Sequence, residues 1–285
     1  MATKRKRNGN IGGGCLIPME NTIQQSTVKR SPLARIPAEG TAAAAGFAKA
    51  MIADLRFFMF IIENTAHTDY VSYVARHALE GKDWDREFDA AVRLAEVDPG
   101  VRTKFLRANQ QALLEMFLSR LVDAFQKYLV DVIREILHSK PALLSTRQQS
   151  LTLEELLKYE NIEALVHDVI ERKVNAMSYE GFTELDKWCA ERGIEIKISN
   201  ARRARIIELI ATRNIIAHNR GRVDERYARI VRGSKFQIGT SRVLDVDYFF
   251  DASSVLSDIV FKTDKVARGK FDLKAVPLRT GQPPK

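Results

Sequence analysis

Between residues 101 and 137, apolar side chains recur three and four positions apart: Leu114, Phe117, Leu118, Leu121, Val122, Phe125, Tyr128, Leu129, Val132, Ile133 and Ile136. That spacing gives one buried helix face. The run exceeds a typical globular helix, so a break is expected near Asn109. Upstream, "TAAAAGFAKAMIADLRFFMFIIENTA" starts a helical pattern at Thr41 that continues to Leu79, and residues 83 to 97 predict another short helix before "DPG" at 98 to 100. Downstream, "HSKPALLSTRQQS" reads as a loop. Thr152 with Glu155 three positions on forms a capping-box pattern in "LTLEELLKYE", and helices follow at about 161 to 176 and 179 to 191, the second ended by Gly193. Ser199 or Asn200 caps a helix to about Ala217. "NRG" at 219 to 221 stops it, Asn and Gly both suiting a left-handed terminal position. Residues 235 to 238 read as a short extended segment, and Asp245 or Asp247 opens a last helix to about Val266.

No repeat is visible and strand signals are nearly absent, so the fold class is all-α, a bundle of antiparallel helices. The chain divides into a flexible basic tail (1–40), a helical segment (41–98) that is either a small first unit or an N-terminal extension, a main helical domain (99–267) and a second flexible basic tail (268–285). With 45% hydrophobic residues among 285, the chain can bury a real core. Cys15 and Cys189 match no metal-ligand or CxxC spacing, which argues against disulfides and zinc and for a reducing compartment, the cytoplasm. The most apolar stretch, "FFMFII" at 57 to 62, follows Lys49, Asp54 and Arg56, so no membrane is expected as a partner. "MATKRKRNGN" lacks the apolar region of a secretory signal; its "KRKR" also fits a nuclear-import signal, a common run.

The net charge of +9 is unevenly placed. Residues 1 to 40 carry seven Lys/Arg against two Glu (+5), and residues 266 to 285 carry five against one Asp (+4), so the body between is neutral. Within that body, residues 201 to 235 hold ten Lys/Arg against Glu208, Asp224 and Glu225, a local +7 on an otherwise acidic domain. Such a patch suits a phosphate backbone, and both tails can add to the attraction.

The patch includes "ATRNIIAHNRGRVDERY" at 211 to 227. Ile206, Leu209, Ile210, Ile216 and Ala217 mark the apolar stripe of this helix, and Arg213 falls in its middle. A guanidinium there needs a wet cleft or a carboxylate such as Glu208 or Asp224. Five residues at about 100° each turn His218 roughly 140° from Arg213 on a regular helix. A second copy of the helix across a two-fold axis would bring two arginines and two histidines into one cleft.

Arginine, a polar residue, three further residues and histidine at the end of a late helix, continuing into "HNRGRVDERY", resembles the signature of the HEPN family (higher eukaryotes and prokaryotes nucleotide-binding domains). "LVDAFQKYLVDVI" and "SLTLEELLKYENIEALVHDVIERKVNAMSYEGFTEL" are similar to the first and middle helices of its bacterial members. The resemblance covers about residues 101 to 267. It implies a HEPN-like topology for the main domain, dimerisation through the motif helices and metal-independent RNA cleavage that leaves a 2′,3′-cyclic phosphate and a 5′-hydroxyl. Arg213 and His218 match the two catalytic positions, and Asn214 matches the polar residue after the arginine.

The chemistry can be argued without the name. Cleaving RNA with its own 2′-hydroxyl requires proton transfer near neutral pH, which suits a histidine with an ordinary pKa of about 6.5. It also requires fixed positive charge at the developing phosphorane, which an arginine supplies. No carboxylate or His/Cys cluster accompanies the motif, so neither a metal nor another cofactor is expected. His218 would take the 2′-hydroxyl proton or protonate the leaving 5′-oxygen, its symmetry mate taking the other role. Arg213 would clamp the scissile phosphate, and Asn214 would orient Arg213 or the phosphate. Asn219 and Arg220, Arg222 and Arg226 are assigned to RNA binding, and Tyr227 either stacks on a base or packs in the core. His67, His77, His138 and His167 stand alone at helix surfaces or ends and read as structural.

The expectation is a homodimeric endoribonuclease acting as a toxin or antiviral defence effector, with RNA as substrate and an antitoxin or sensor protein as a further partner. The alternative is a non-catalytic helical module that binds RNA or nucleotide, or only dimerises. A DNA-binding regulator is weaker, since no short glycine turn precedes a basic recognition helix.

Overall fold

The computed structural model describes residues 36–80, 94, 97–144, 152–231, 233 and 236–278. It is mostly helical: α1 (Ala42–Leu79), α2 (Val101–Ala108), α3 (Gln110–Ser139), α4 (Leu153–Leu156), α5 (Ile162–Tyr179), α6 (Phe182–Glu191), α7 (Asn200–Asn219), α8 (Glu225–Ile230) and α9 (Val246–Phe271), with a 3₁₀ turn at Pro141–Leu144. The expected helix at 83 to 97 lies outside the described residues apart from Leu94 and Val97, as do residues 1 to 35 and Lys235. Phe236 and Gln237 have no regular structure. Among the described residues no helix is long and apolar enough to cross a membrane.

The centre is α3. Every residue of its predicted stripe is buried, Leu137 as well, and the break before it falls at Asn109, between α2 and α3. Three neighbours run antiparallel to α3. Helix α1 pairs Ala43 with Glu135 and Asp54 with Arg120. Helix α5 pairs Glu171 with Arg134, and α7 pairs Arg213 with Asp123. Helix α9 instead runs parallel to α3: the Tyr128 hydroxyl donates to Val260 O at 3.1 Å, and Ser139 Oγ to Phe271 O at 2.8 Å. The expected antiparallel bundle therefore contains one parallel pair. The chain between α3 and α9, with α4 to α8 among its described residues, supplies the return crossing such a pair needs.

Helix α1 shares this core over its first half only. Ala43, Ala44, Phe47, Ala48, Met51, Leu55 and Phe58 are buried with the α3 and α9 side chains. The core takes in Phe58 from "FFMFII", half-covers Ile61 and Ile62, and leaves Phe57 and Phe60 more than half exposed. At the start of α1, Thr41 Oγ1 accepts from Ala44 N while Asp264 accepts from both Thr41 N and Thr41 Oγ1, and Glu135 accepts from Ala43 N at 2.6 Å. Burial raises the pKa of both carboxyls. Further along, Asp69 accepts from the backbone N–H groups of Arg102 and Thr103, tying the exposed half of α1 to the start of α2.

Residues 268 to 278, expected as the beginning of a basic tail, complete α9 and return to the fold. β2 (Val276–Pro277) pairs antiparallel with β1 (Glu39–Gly40), Glu39 opposite Pro277 and Gly40 opposite Val276, and Leu278 is buried. The approach is tight: a Cβ on Gly40 would lie 2.9 Å from Asp264 Oδ2 and from a Leu278 methyl carbon.

Candidate nucleic-acid interface

Helix α7 begins at Ser199, whose hydroxyl accepts from Arg202 N, and lies between α3 and α9. Its buried residues are Ile206, Leu209, Ala211, Thr212 and Ile215. Ile210 and Ile216, placed in the stripe by sequence, are half-buried, and Ala217 is exposed. The stripe shifts because a second, small core forms beside the end of the helix: Ala211 and Ile215 pack with Val223 and Tyr227, flanked by Val231 and Phe236. Tyr227 is 1% exposed, so of its two expected roles the structure shows packing, with no ring face left for a base.

The end of α7 is bound on both sides. Arg220, rather than Asn219, is the left-handed residue (φ 51°, ψ 41°), followed by Gly221 at φ 71°. An L residue there costs about 1 kcal/mol. Gly221 N donates to Ile215 O at 3.0 Å, closing the helix end six residues back, and Asn219 Nδ2 donates to Arg222 O at 2.7 Å. On one side, residues 239 to 242 form a strap: Val223 N donates to Thr240 O, Gly239 N to Val223 O and Arg242 N to Gly221 O. On the other, a Cβ on Gly221 would lie 2.6 Å from Glu115 Oε1. Gln111 joins the two sides, donating to Glu115 Oε1 at 2.7 Å and Arg242 O at 2.9 Å, and accepting from Leu244 N at 2.9 Å.

Beneath the strap lies a partly buried polar network. Glu208 Oε1 accepts from the Tyr248 hydroxyl at 3.0 Å and from Arg242 Nη2 at 3.2 Å, and Glu208 also pairs with Arg205. Both guanidinium carbons lie over the Tyr248 ring, Arg205 at 4.3 Å and Arg242 at 4.6 Å. Burial, then the Glu208 charge, pushes the Tyr248 phenol up to about 12, so it remains a donor.

Arg213 is not paired with Glu208 or Asp224, the partners suggested by sequence. Glu208 is taken by Arg205 and Arg242, and Asp224 caps α8 by accepting from Tyr227 N at 2.7 Å. The Arg213 partner is Asp123 of α3, with Nε 2.7 Å from Oδ1, close but not aligned as a hydrogen bond. Arg213 Nη1 donates to Asn214 Oδ1 at 3.3 Å. His218 is exposed and makes no hydrogen bond or ion pair with the described residues. Within one chain, then, Asn214 joins Arg213, and His218 stands apart from both.

The basic residues of the segment fall into two groups. Arg202 pairs with Asp258, Arg203 with Asp186, Arg205 with Glu208 and Asp251, and Arg213 with Asp123. Arg220, Arg222 and Arg226 are exposed without an ion pair among the described residues, and so is Arg229, which the sequence reading passed over. They lie from the end of α7 to the end of α8, and Arg226 and Arg229 are three positions apart, on one side of α8. Sequence reading also missed Asp123, Glu115, Gln111 and Arg242. Only Asp123 left a trace, as a charge inside the apolar run "LVDAF".

The other candidate chemistry is quiet. No group of three or more His, Cys, Asp or Glu is placed to hold a metal among the described residues. Cys189 is buried, which pushes its thiol up to about 12. His138 stacks near His167 at 5.2 Å and faces Glu171 at 3.6 Å, and His77 bonds Tyr73 O within α1. No protein-family model, curated protein or solved structure matches this chain.

Proposed function

We propose that the chain is a metal-independent endoribonuclease of HEPN type, using Arg213, Asn214 and His218, and that it acts as a homodimer in which two motif helices meet. The carrying observation is the segregation of charge along one segment: Arg202, Arg203 and Arg205 are neutralised by folding, while four exposed arginines follow His218 from the end of α7 along α8. Unpaired cations in a row suit a phosphate backbone, whose binding releases counterions. Arg220, Arg222, Arg226 and Arg229 hold the strand, and Asn219 shapes the turn that carries them. His218 transfers the proton, and Arg213 meets the charge on the phosphorane. A toxin or defence role, with an antitoxin or sensor partner in the cytoplasm, belongs to the same reading.

The separation of His218 from Arg213 within one chain favours a second reading, an RNA-binding module without cleavage. One experiment decides between them. Purified protein is incubated with total RNA in EDTA, alongside His218→Ala and Arg213→Ala, with oligomeric state measured by light scattering. Cleavage that persists in chelator, leaves 2′,3′-cyclic phosphate ends and disappears in both variants supports the nuclease. Equal RNA binding with no cleavage in any sample supports the module.

A further inference from the structure

We propose that Asp123 is a positioning residue for Arg213, an inference that rests on the nuclease reading above. Arg213 leaves the side of α7, and its Nε is buried 2.7 Å from Asp123 Oδ1. The adjacent Asn214 Oδ1 accepts from Nη1. A guanidinium has five N–H donors. With Nε–H beside Asp123 and one Nη1 hydrogen on Asn214, three remain for a phosphate. The Arg213 side chain is 27% exposed, so that free edge reaches solvent.

Asp123 is well placed to act as a fixed post. Its neighbours Leu121, Val122 and Phe125 are at most 4% exposed, so the backbone carrying the carboxylate is set by the central core. Glu115, two turns earlier on α3, lies against Gly221 and fixes the same face of α3 to the other end of the motif. A group on a packed helix holds its direction better than one on a loop.

The carboxylate has two opposing effects. It aims the guanidinium, and its negative charge weakens attraction for RNA. Asp123→Asn keeps the shape and removes the charge, so the two effects separate: RNA binding stays equal or tightens by up to about 3-fold, while turnover falls roughly 10- to 100-fold. Asp123→Glu, which restores the carboxylate one methylene further out, recovers part of the turnover. The pair is partly exposed, so thermal stability changes little. A purely structural role would move stability together with both kinetic parameters.

The experiment measures kcat and KM for wild type, Asp123→Asn and Asp123→Glu on one RNA, with RNA affinity by fluorescence anisotropy. Hydrogen exchange of the Arg213 Nε–H is followed in parallel by ¹⁵N NMR, the signal being assigned by its loss in Arg213→Lys. Expected are a fall in kcat without a rise in KM, partial rescue by Glu, and Nε–H exchange that is slow in wild type and at least several-fold faster in Asp123→Asn. Unchanged turnover in Asp123→Asn, or parallel loss of binding and turnover, overturns the proposal. If wild type does not cleave RNA, the nuclease reading fails, and the NMR arm still decides whether Asp123 orders Arg213. Equal exchange in wild type and Asp123→Asn then overturns the positioning role as well.

Discussion

The two ends of the basic segment use the same side chain for opposite purposes. Along the first turns of α7, Arg202, Arg203 and Arg205 each meet a carboxylate from another element or one turn on, and together they fasten α7 to α6 and α9. Past the end of α7, Arg220, Arg222, Arg226 and Arg229 meet none among the described residues, although Asp224 and Glu225 lie between them in sequence. Asp224 is used to cap α8, so its charge serves a helix start. A count of basic residues therefore overstates the surface available to a polyanion, and the structure selects which arginines remain for it.

The largest effect should come from breaking the neutralised end. Glu208→Ala leaves Arg242, whose side chain is 9% exposed, and the Tyr248 hydroxyl without their shared acceptor. Removing one partner of a mostly buried pair costs about 3 kcal/mol. In a domain of this size that lowers Tm by roughly 5–10 °C, read by differential scanning calorimetry. Since Arg242 also holds the strap over Gly221, RNA binding should weaken as well.

At the open end, the triple change Arg222→Ala, Arg226→Ala and Arg229→Ala should leave Tm within about 2 °C, as exposed substitutions usually do. RNA affinity should fall about 50-fold at 0.15 M salt, and the slope of log affinity against log salt should become shallower by about 2, at roughly 0.7 per lost single-strand contact. Arg203→Ala provides the contrast, with a shallower fold stability and an unchanged salt slope. Equal slopes in the two variants would remove the distinction between the two ends.

The smallest effect concerns pH at the start of α1. Burial raises the pKa of Asp264 and Glu135 above their unfolded values, so the folded chain holds protons more tightly there. The stability this contributes is fully present below the unfolded values, about 4, and is lost as pH rises through the folded ones. Asp264→Asn should flatten that decline in a Tm series from pH 4 to 7. Asp69 works in the opposite sense. Its burial would raise its pKa, but the Thr103 and Arg102 hydrogen bonds outweigh it and lower the value, so its contribution is lost only as pH falls below about 4.

What the sequence by itself determined was local and periodic. The α3 stripe, the break near Asn109, the stop after α7 and a cap at Ser199 or Asn200 and at Asp245 or Asp247, of which the structure uses Ser199 and Asp245, all depend on residues within a few positions of one another, which is the range over which spacing and capping act. The basic patch and Arg213 as a misplaced charge were legible for the same reason. Only the tertiary structure decided the partners. Asp123 lies 90 positions before Arg213, and the strap at 239 to 242 returns to Gly221 from beyond α8. Tyr227 became core because α8 folds back on α7. Residues 276 and 277 became a strand because β1 was there to pair with them. Pairing between distant residues is set by which surfaces meet when the helices pack, and no spacing along the chain encodes it.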